Sequence, residues 1–463
     1  MRHLFIASLC IFTAIIQTNA QTIEQATHLM DTWLDAQKDY NKWPSISVSF
    51  VNDQELIYSR SFGGATPDTL YRIASNSKLF TALAILKLRD QGKLNLDDTI
   101  EKHIDWYNIK QKFDQSDPIT IKSLLTHNSG LPYEPDLPYW SYRDGYPFPS
   151  LDELKQGTSK IETLYPVNEK YQYSNLGFIL LGQIIESASG VSYHQYVHEQ
   201  IIEPMGLENT FTNVDASKHG NELAVGYGKL DRKQTRMEVP FIDTKATTSA
   251  AGISSSANDL AKFLMWQLRA IDGKGDEVLK QGTFREMTRA HAVDTGSSMD
   301  VGYAFRTNYR GGKSYIGHGG VMTGHTSQTT IEPGAKLGAV TLMNTHDTSP
   351  LQINYVMMDV FGPVLKADNA PSQYDFSEYQ GFYDNQPWGD ESYIMQWGDN
   401  LISFYLSSSN PINAITKFRH LEGDKFIRLN DDGTEADVMT FLRNEVGKVM
   451  SYKDQSDYIY KKD

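Results

Sequence analysis

The chain has 463 residues, 40% of them hydrophobic, a net charge of −14 and one cysteine. That acidity excludes a nucleic-acid binder, because phosphate contacts need a basic face. A lone cysteine excludes an internal disulfide and a thiolate metal cluster.

Taken in chain order, the first twenty residues read as a secretory leader. Arg2 and His3 start it, 4–16 form an apolar run, and Thr18-Asn19-Ala20 make a small-residue cleavage site. The expectation is therefore an exported protein, periplasmic or secreted, that loses its only thiol, Cys10, with the leader. The apolar run is short for a membrane span, and no later stretch is long or apolar enough, so no integral membrane segment is expected. Ile23, Ala26, Met30, Trp33 and Leu34 recur at helical spacing and predict a helix over 22–38. Residues 45–51 alternate between Pro44 and Asn52 as a strand, and 55–62 supply a hairpin partner.

Residues 71–75 are extended and run into a helix from Ser75 to about Gln91, stopped by Gly92. A serine in the first turn lies beside unpaired N–H groups at the positive end of the helix dipole. Lys78, three residues on, returns to the same face and can reach the serine oxygen. A serine hydroxyl is a poor nucleophile until something takes its proton, and a desolvated lysine can help. Alone, Ser-x-x-Lys is commonplace, and a capping serine with a surface lysine is the ordinary reading.

The middle third is mostly helical with polar loops. Tyr133, Tyr139, Trp140, Tyr142, Tyr146 and Phe148 crowd the loop after Gly130-Leu-Pro132, either as a wall of a substrate cleft or merely as pins holding a long loop down. Tyr173-Ser174-Asn175 opens a helical run over 176–186. His194 and His198, with Glu199, lack the His-Glu-x-x-His order of a zinc helix and read as surface histidines. Ser256 to Asp259 read as a capping box for a helix over 260–268. Gly317-His318-Gly319-Gly320 sits in a strand-like stretch, and 337–344 returns to strand character.

A Ser-x-x-Lys, a Tyr-x-Asn and a basic residue followed by x-Gly on a strand, in that order, resemble the three elements of serine β-lactamases and penicillin-binding proteins. The tyrosine in the second element places the resemblance nearest the class C β-lactamase, D,D-peptidase, D-aminopeptidase and esterase branch. Ser123-Leu-Leu-Thr-His-Asn-Ser-Gly-Leu-Pro132 and the segment 251–263 are similar to further stretches of these enzymes, so the likeness covers roughly 25–360. It implies an α/β (α+β) fold: a mixed antiparallel sheet flanked by helices, with an all-helical lobe. The Gly-x-Ser-x-Gly elbow of α/β-hydrolases is absent.

Composition shifts near 366–373, a linker. Beyond it, 374–463 carries short alternating runs separated by turns such as Asp431-Asp-Gly433, which predict a small all-β barrel or sandwich that resembles a lipocalin-like appendage. A packing module is favoured over a ligand-binding one. The domain reading is thus leader 1–20, hydrolase domain 21–365, linker 366–373 and barrel 374–463.

The resemblance implies that Ser75 is the nucleophile of an acyl-enzyme, Lys78 and Tyr173 the proton carriers, and Asn175 a holder of lysine and substrate amide. A phenol acts as a base near neutrality only if positive charge lowers its pKa, and Lys78 is the expected source. The oxyanion hole is expected from the backbone N–H groups of Ser75 and Val321. Gly319 and Gly320 leave room for substrate along the strand. His318 stands where the β-lactamase form has lysine, so carboxylate-bearing substrates should be held weakly or with pH dependence. The reading is an exported serine hydrolase of peptides (D-amino-acid ones included), amides or esters, with peptidoglycan fragments among the candidate substrates and no metal or cofactor. Two alternatives stay open, a β-lactamase proper and a penicillin-binding-like receptor with little turnover. The oligomeric state is open too.

Overall fold

The computed structural model describes residues 11–367, 372 and 374–462, with side chains from Ile23 onward. The first ten residues of the expected leader lie outside the described residues, as do 368–371 and 373 of the expected linker. The chain divides into two compact units. One is Pro44–Asn354; the other joins the described residues up to Trp43 with those from Tyr355 onward.

The first helix, α1 (Ile11–Tyr40), is longer than the predicted 22–38 and belongs to the second unit. The Pro44–Asn354 unit is built on an eight-stranded sheet. Its strands are β1 (Ile46–Asn52), β2 (Glu55–Phe62), β3 (Ala292–Asp294), β4 (Met299–Val301), β5 (Arg306–Arg310), β6 (Lys313–Met322), β7 (His325–Glu332) and β8 (Leu337–Met343). They run in the order β2-β1-β8-β7-β6-β5-β4-β3, and each pairing is antiparallel. Strands from both ends of the unit thus meet in one sheet, and the helices lie between them in sequence. β1 alternates Ser47 and Ser49 with Val48 and Phe50, yet all four are buried. The serines are tolerated there because their hydroxyls pair across to Ser61 and Ser59 of β2 at 2.8 and 3.2 Å.

Three helices matter for the site: α2 (Ser77–Asp90), α3 (Asn175–Ser189) and α4 (Ala257–Ile271). α2 is apolar on every side, with Leu79, Phe80, Leu83, Ile85, Leu86 and Leu88 all buried, as befits a helix enclosed by others. It ends as predicted at Gly92, φ +74°, whose N–H returns to the Arg89 carbonyl at 2.8 Å. α4 begins at Ala257, three residues earlier than predicted. Ser256 Oγ accepts from Asp259 N, but the Asp259 carboxylate turns away to Thr210 Oγ1 and the Asn209 N–H, so only half of the expected capping box is present.

In the second unit, eight strands from Gly381–Asp384 to Asp457–Lys461 close into an antiparallel barrel. Phe376, Tyr383, Ile394, Leu401, Phe426 and Phe441 are among the side chains that form its core. α1 packs on this barrel: Trp33 Nε1 donates to the Ser408 carbonyl at 2.7 Å, Gln37 Nε2 to that of Leu406 at 2.7 Å, and His28 Nε2 meets the Tyr393 hydroxyl at 2.9 Å. A helix placed by sequence order with residues 21–365 therefore has its partners more than 350 residues away. Among the described residues no single helix is long and apolar enough to cross a membrane.

Candidate active site

Ser75 lies ahead of α2 rather than in its first turn, where the sequence predicted it. Ala74–Asn76 form a 3₁₀ turn ahead of the helix, and Ala74 has φ +48°. A non-glycine residue there costs about 1–2 kcal/mol and is held only by its surroundings. Those surroundings are explicit. Asn76 Nδ2 donates to Ser327 Oγ at 2.7 Å, Thr329 Oγ1 donates to Asn76 Oδ1 at 2.7 Å, and Ser327 Oγ donates to the Ile73 carbonyl at 2.7 Å. The turn is stapled to β7. Gly320 permits this from β6, since a Cβ there would lie 2.1 Å from the Ile73 oxygen. The close approach expected for substrate at Gly320 is made by the protein's own turn.

Lys78 is fully buried. Its Nζ donates to Ser75 Oγ at 3.1 Å, Asn175 Oδ1 at 2.7 Å and the Ala250 carbonyl at 2.7 Å. Asn175 arrives at the first position of α3, which is capped by Ser174: that hydroxyl accepts from Gly177 N and donates to the Pro132 carbonyl. The Tyr173 ring, just before the cap, has Lys78 Nζ 5.1 Å from its centroid, and its phenol interacts with the Ser75 hydroxyl. His127 lies against this ring at 4.3 Å and Tyr133 at 5.5 Å, while His318 is 6.3 Å away. Thus Ser75, Lys78, Tyr173, Asn175 and His318, drawn from three separate stretches of chain, converge. Gly319 and Val321 continue along β6, where the Val321 side chain is 65% exposed.

The electrostatics reverse one expectation. Burial lowers the Lys78 ammonium to about 7, with Glu134 opposing and Arg306 adding to the fall. The Tyr173 phenol is raised to about 12 by burial, against the pull of Arg306 and the Ser75 hydrogen bond. Lys78 therefore does not make Tyr173 a base: the lysine itself gives up its proton near pH 7, while the phenol keeps its own. His318 is corrected too. Burial, then Arg306 and Lys78, hold it well below an ordinary histidine, and its Nδ1 donates to the Gly319 carbonyl at 2.5 Å. With its pKa held well below 6.5 the ring is uncharged near neutral pH, so there it gives no pH-dependent grip on a carboxylate.

Sequence reasoning missed two residues. Glu134, in the aromatic loop, accepts from Asn175 Nδ2 at 2.6 Å, from Trp140 Nε1 at 3.0 Å, and from the Tyr139 hydroxyl. The amide expected to greet substrate is thereby already engaged, with its oxygen fixed toward Lys78. Arg306, at the start of β5, lies with Cζ 4.9 Å from the Tyr173 ring centroid and donates to the Tyr171 hydroxyl at 3.1 Å. Nothing but a charge directly after an aromatic residue, Tyr133 or Phe305, marked either position. The aromatic loop divides by residue. Tyr139, Tyr146 and Phe148 are buried in one cluster with Ala74 and Met322, whereas Tyr133, Trp140 and Tyr142 are exposed. Among the described residues no group of three His, Cys, Asp or Glu is placed to hold a metal.

A family profile described as Beta-lactamase matches residues 30–358. The chain belongs to the beta-lactamase family. Among curated relatives, "Protein flp" of Staphylococcus aureus (strain MW2) is 27% identical over 328 residues, 68% of this chain and 62% of its own length. The chain thus spans about three fifths of that relative. Among solved structures, the octameric penicillin-binding protein homologue from Pyrococcus abyssi superposes with a TM-score of 0.64 at 24% identity, over 94% of this chain and 99% of its own. A D-stereospecific amidohydrolase from Streptomyces sp. gives 0.59 at 21%, over 69% and 94%. These likenesses carry the fold. Within this beta-lactamase-family chain the convergence at Ser75 marks the candidate centre.

Proposed function

We propose that the chain is an exported serine hydrolase that works through a Ser75 acyl-enzyme on amide, peptide (D-amino-acid ones included) or ester substrates. The observation that carries this reading is the Lys78 amine 3.1 Å from Ser75 Oγ, buried and with its pKa lowered to about 7. Neutral Lys78 takes the hydroxyl proton as Ser75 Oγ bonds to the acyl carbon. The developing oxyanion is met by the backbone N–H groups of Ser75 and Val321. Tyr173, protonated at working pH, gives its proton to the departing nitrogen or oxygen as the acyl–leaving-group bond breaks. The Lys78 ammonium then returns a proton to the Tyr173 phenolate, and both groups end as they began. Water repeats the sequence on the ester, and the proton returns to Ser75. The uncharged His318 supports amide, peptide or ester cleavage over lactam hydrolysis, as does the amidohydrolase among the structural neighbours.

Intact-mass measurement tests this with a fluorophosphonate, a penicillin, a D-alanyl peptide and a short ester, comparing wild type with Ser75→Ala. A Ser75-dependent adduct plus turnover of ester or peptide is expected. No adduct with any reagent overturns the reading, and an adduct without turnover of any substrate replaces it with the receptor.

A further inference from the structure

A second gathering of basic groups lies behind the nucleophile turn. Arg72, in the short strand Tyr71–Arg72 that leads to Ser75, is 5% exposed, and its Nε has no hydrogen-bond partner. Its Nη2 reaches only Thr244 Oγ1, at 3.5 Å. Among the described residues no carboxylate forms an ion pair with it. Asp243, the acid whose field it feels, is exposed and accepts from the Lys245 backbone N–H. A small cavity opens beside this guanidinium, lined in part by His219, His325, Gly226, Phe241 and Met322. His325 is 4% exposed, and its Nδ1 also lacks a partner. Burial lowers both histidines, His325 to about 3, and the Arg72 charge adds to the fall. The cavity is small and suits one compact guest.

We propose that this cavity binds a single monoanion of halide size, held by the Arg72 Nε–H and a ring N–H of His325. A water molecule would satisfy the donors but leave the buried positive charge with only the exposed Asp243 to offset it, whereas a halide satisfies both. Because Arg72 lies in the strand that enters the Ala74–Asn76 turn, the anion would hold that strand in place. The proposal stands apart from the assignment of Ser75.

Crystals grown in sodium bromide should show an anomalous peak within about 3.5 Å of Arg72 Nε. In solution, replacing gluconate by chloride at fixed ionic strength should raise the unfolding midpoint by about 2 °C per tenfold increase in chloride above the dissociation constant. Arg72→Met should abolish that rise while fluorophosphonate labelling of Ser75 persists. A peak without anomalous signal, a midpoint that ignores chloride, or an equal chloride response in Arg72→Met overturns the proposal. If Arg72→Met does not fold, the wild-type bromide map decides alone.

Discussion

The fraction of Lys78 that is uncharged should set the rate at which Ser75 is acylated. An ordinary lysine at 10.5 is neutral in roughly one molecule in 3000 at pH 7, whereas at about 7 roughly half are neutral. The gain is about a thousandfold in available base, equivalent to about 5 kcal/mol between the two protonation states. The sign follows. kcat/KM for a short neutral ester rises as pH passes through about 7, then stays level, because Tyr173 keeps its proton until about 12. His127 and His318 are both held well below 6.5 and supply no limb near neutrality. Two variants separate Lys78 from other sources. Glu134 raises its pKa and Arg306 lowers it. Glu134→Gln retains an oxygen for Asn175 and should move the limb to lower pH, while Arg306→Gln should move it to higher pH. Each shift should be on the order of half to one pH unit for a single charge at an effective dielectric constant near 20–40. Steady-state ester hydrolysis from pH 5 to 9 measures both. Shifts in the same direction, or a limb that neither variant moves, would refute Lys78 as the base.

Three further outcomes follow from the same geometry. KM for a carboxylate-bearing substrate, measured from pH 6.5 to 8.5, should show no His318 titration, because burial holds that ring well below 6.5; a break that disappears in His318→Gln would contradict this. Gly320→Ala should cost about 2 kcal/mol or more in urea unfolding and suppress Ser75 labelling, since its Cβ would meet the Ile73 oxygen at 2.1 Å and displace the nucleophile turn; an unchanged labelling rate would show that the turn yields freely. Trp33→Ala should destabilise the barrel unit by about 3–5 kcal/mol while Ser75 labelling stays intact; a proteolysis or calorimetric scan that shows the barrel unaffected would mean α1 is not part of its core.

Much of the site was legible because its spacing is local. Ser75 and Lys78 are three apart, Tyr173 and Asn175 two apart, and the glycines around His318 mark a strand open to close approach. Hydrophobic alternation located β1 and β2, and the turn residues located the barrel strands. The capping of α4 was half right, since the Ser256 hydroxyl acts locally whereas Asp259 is claimed by Thr210 and Asn209 from elsewhere in the chain.

The order of residues alone determined which groups could do chemistry and which stretches would become helix or strand, because propensity, periodicity and capping act within a few positions. Only the tertiary structure decided protonation and partnership. Lys78 is brought to neutrality by the enclosure of α2, Tyr173 is kept protonated by the same burial, Glu134 is drawn onto Asn175, and α1 is claimed by a barrel at the far end of the chain. Desolvation and Coulomb fields depend on what folds around a group, and no spacing in the sequence encodes that distance directly.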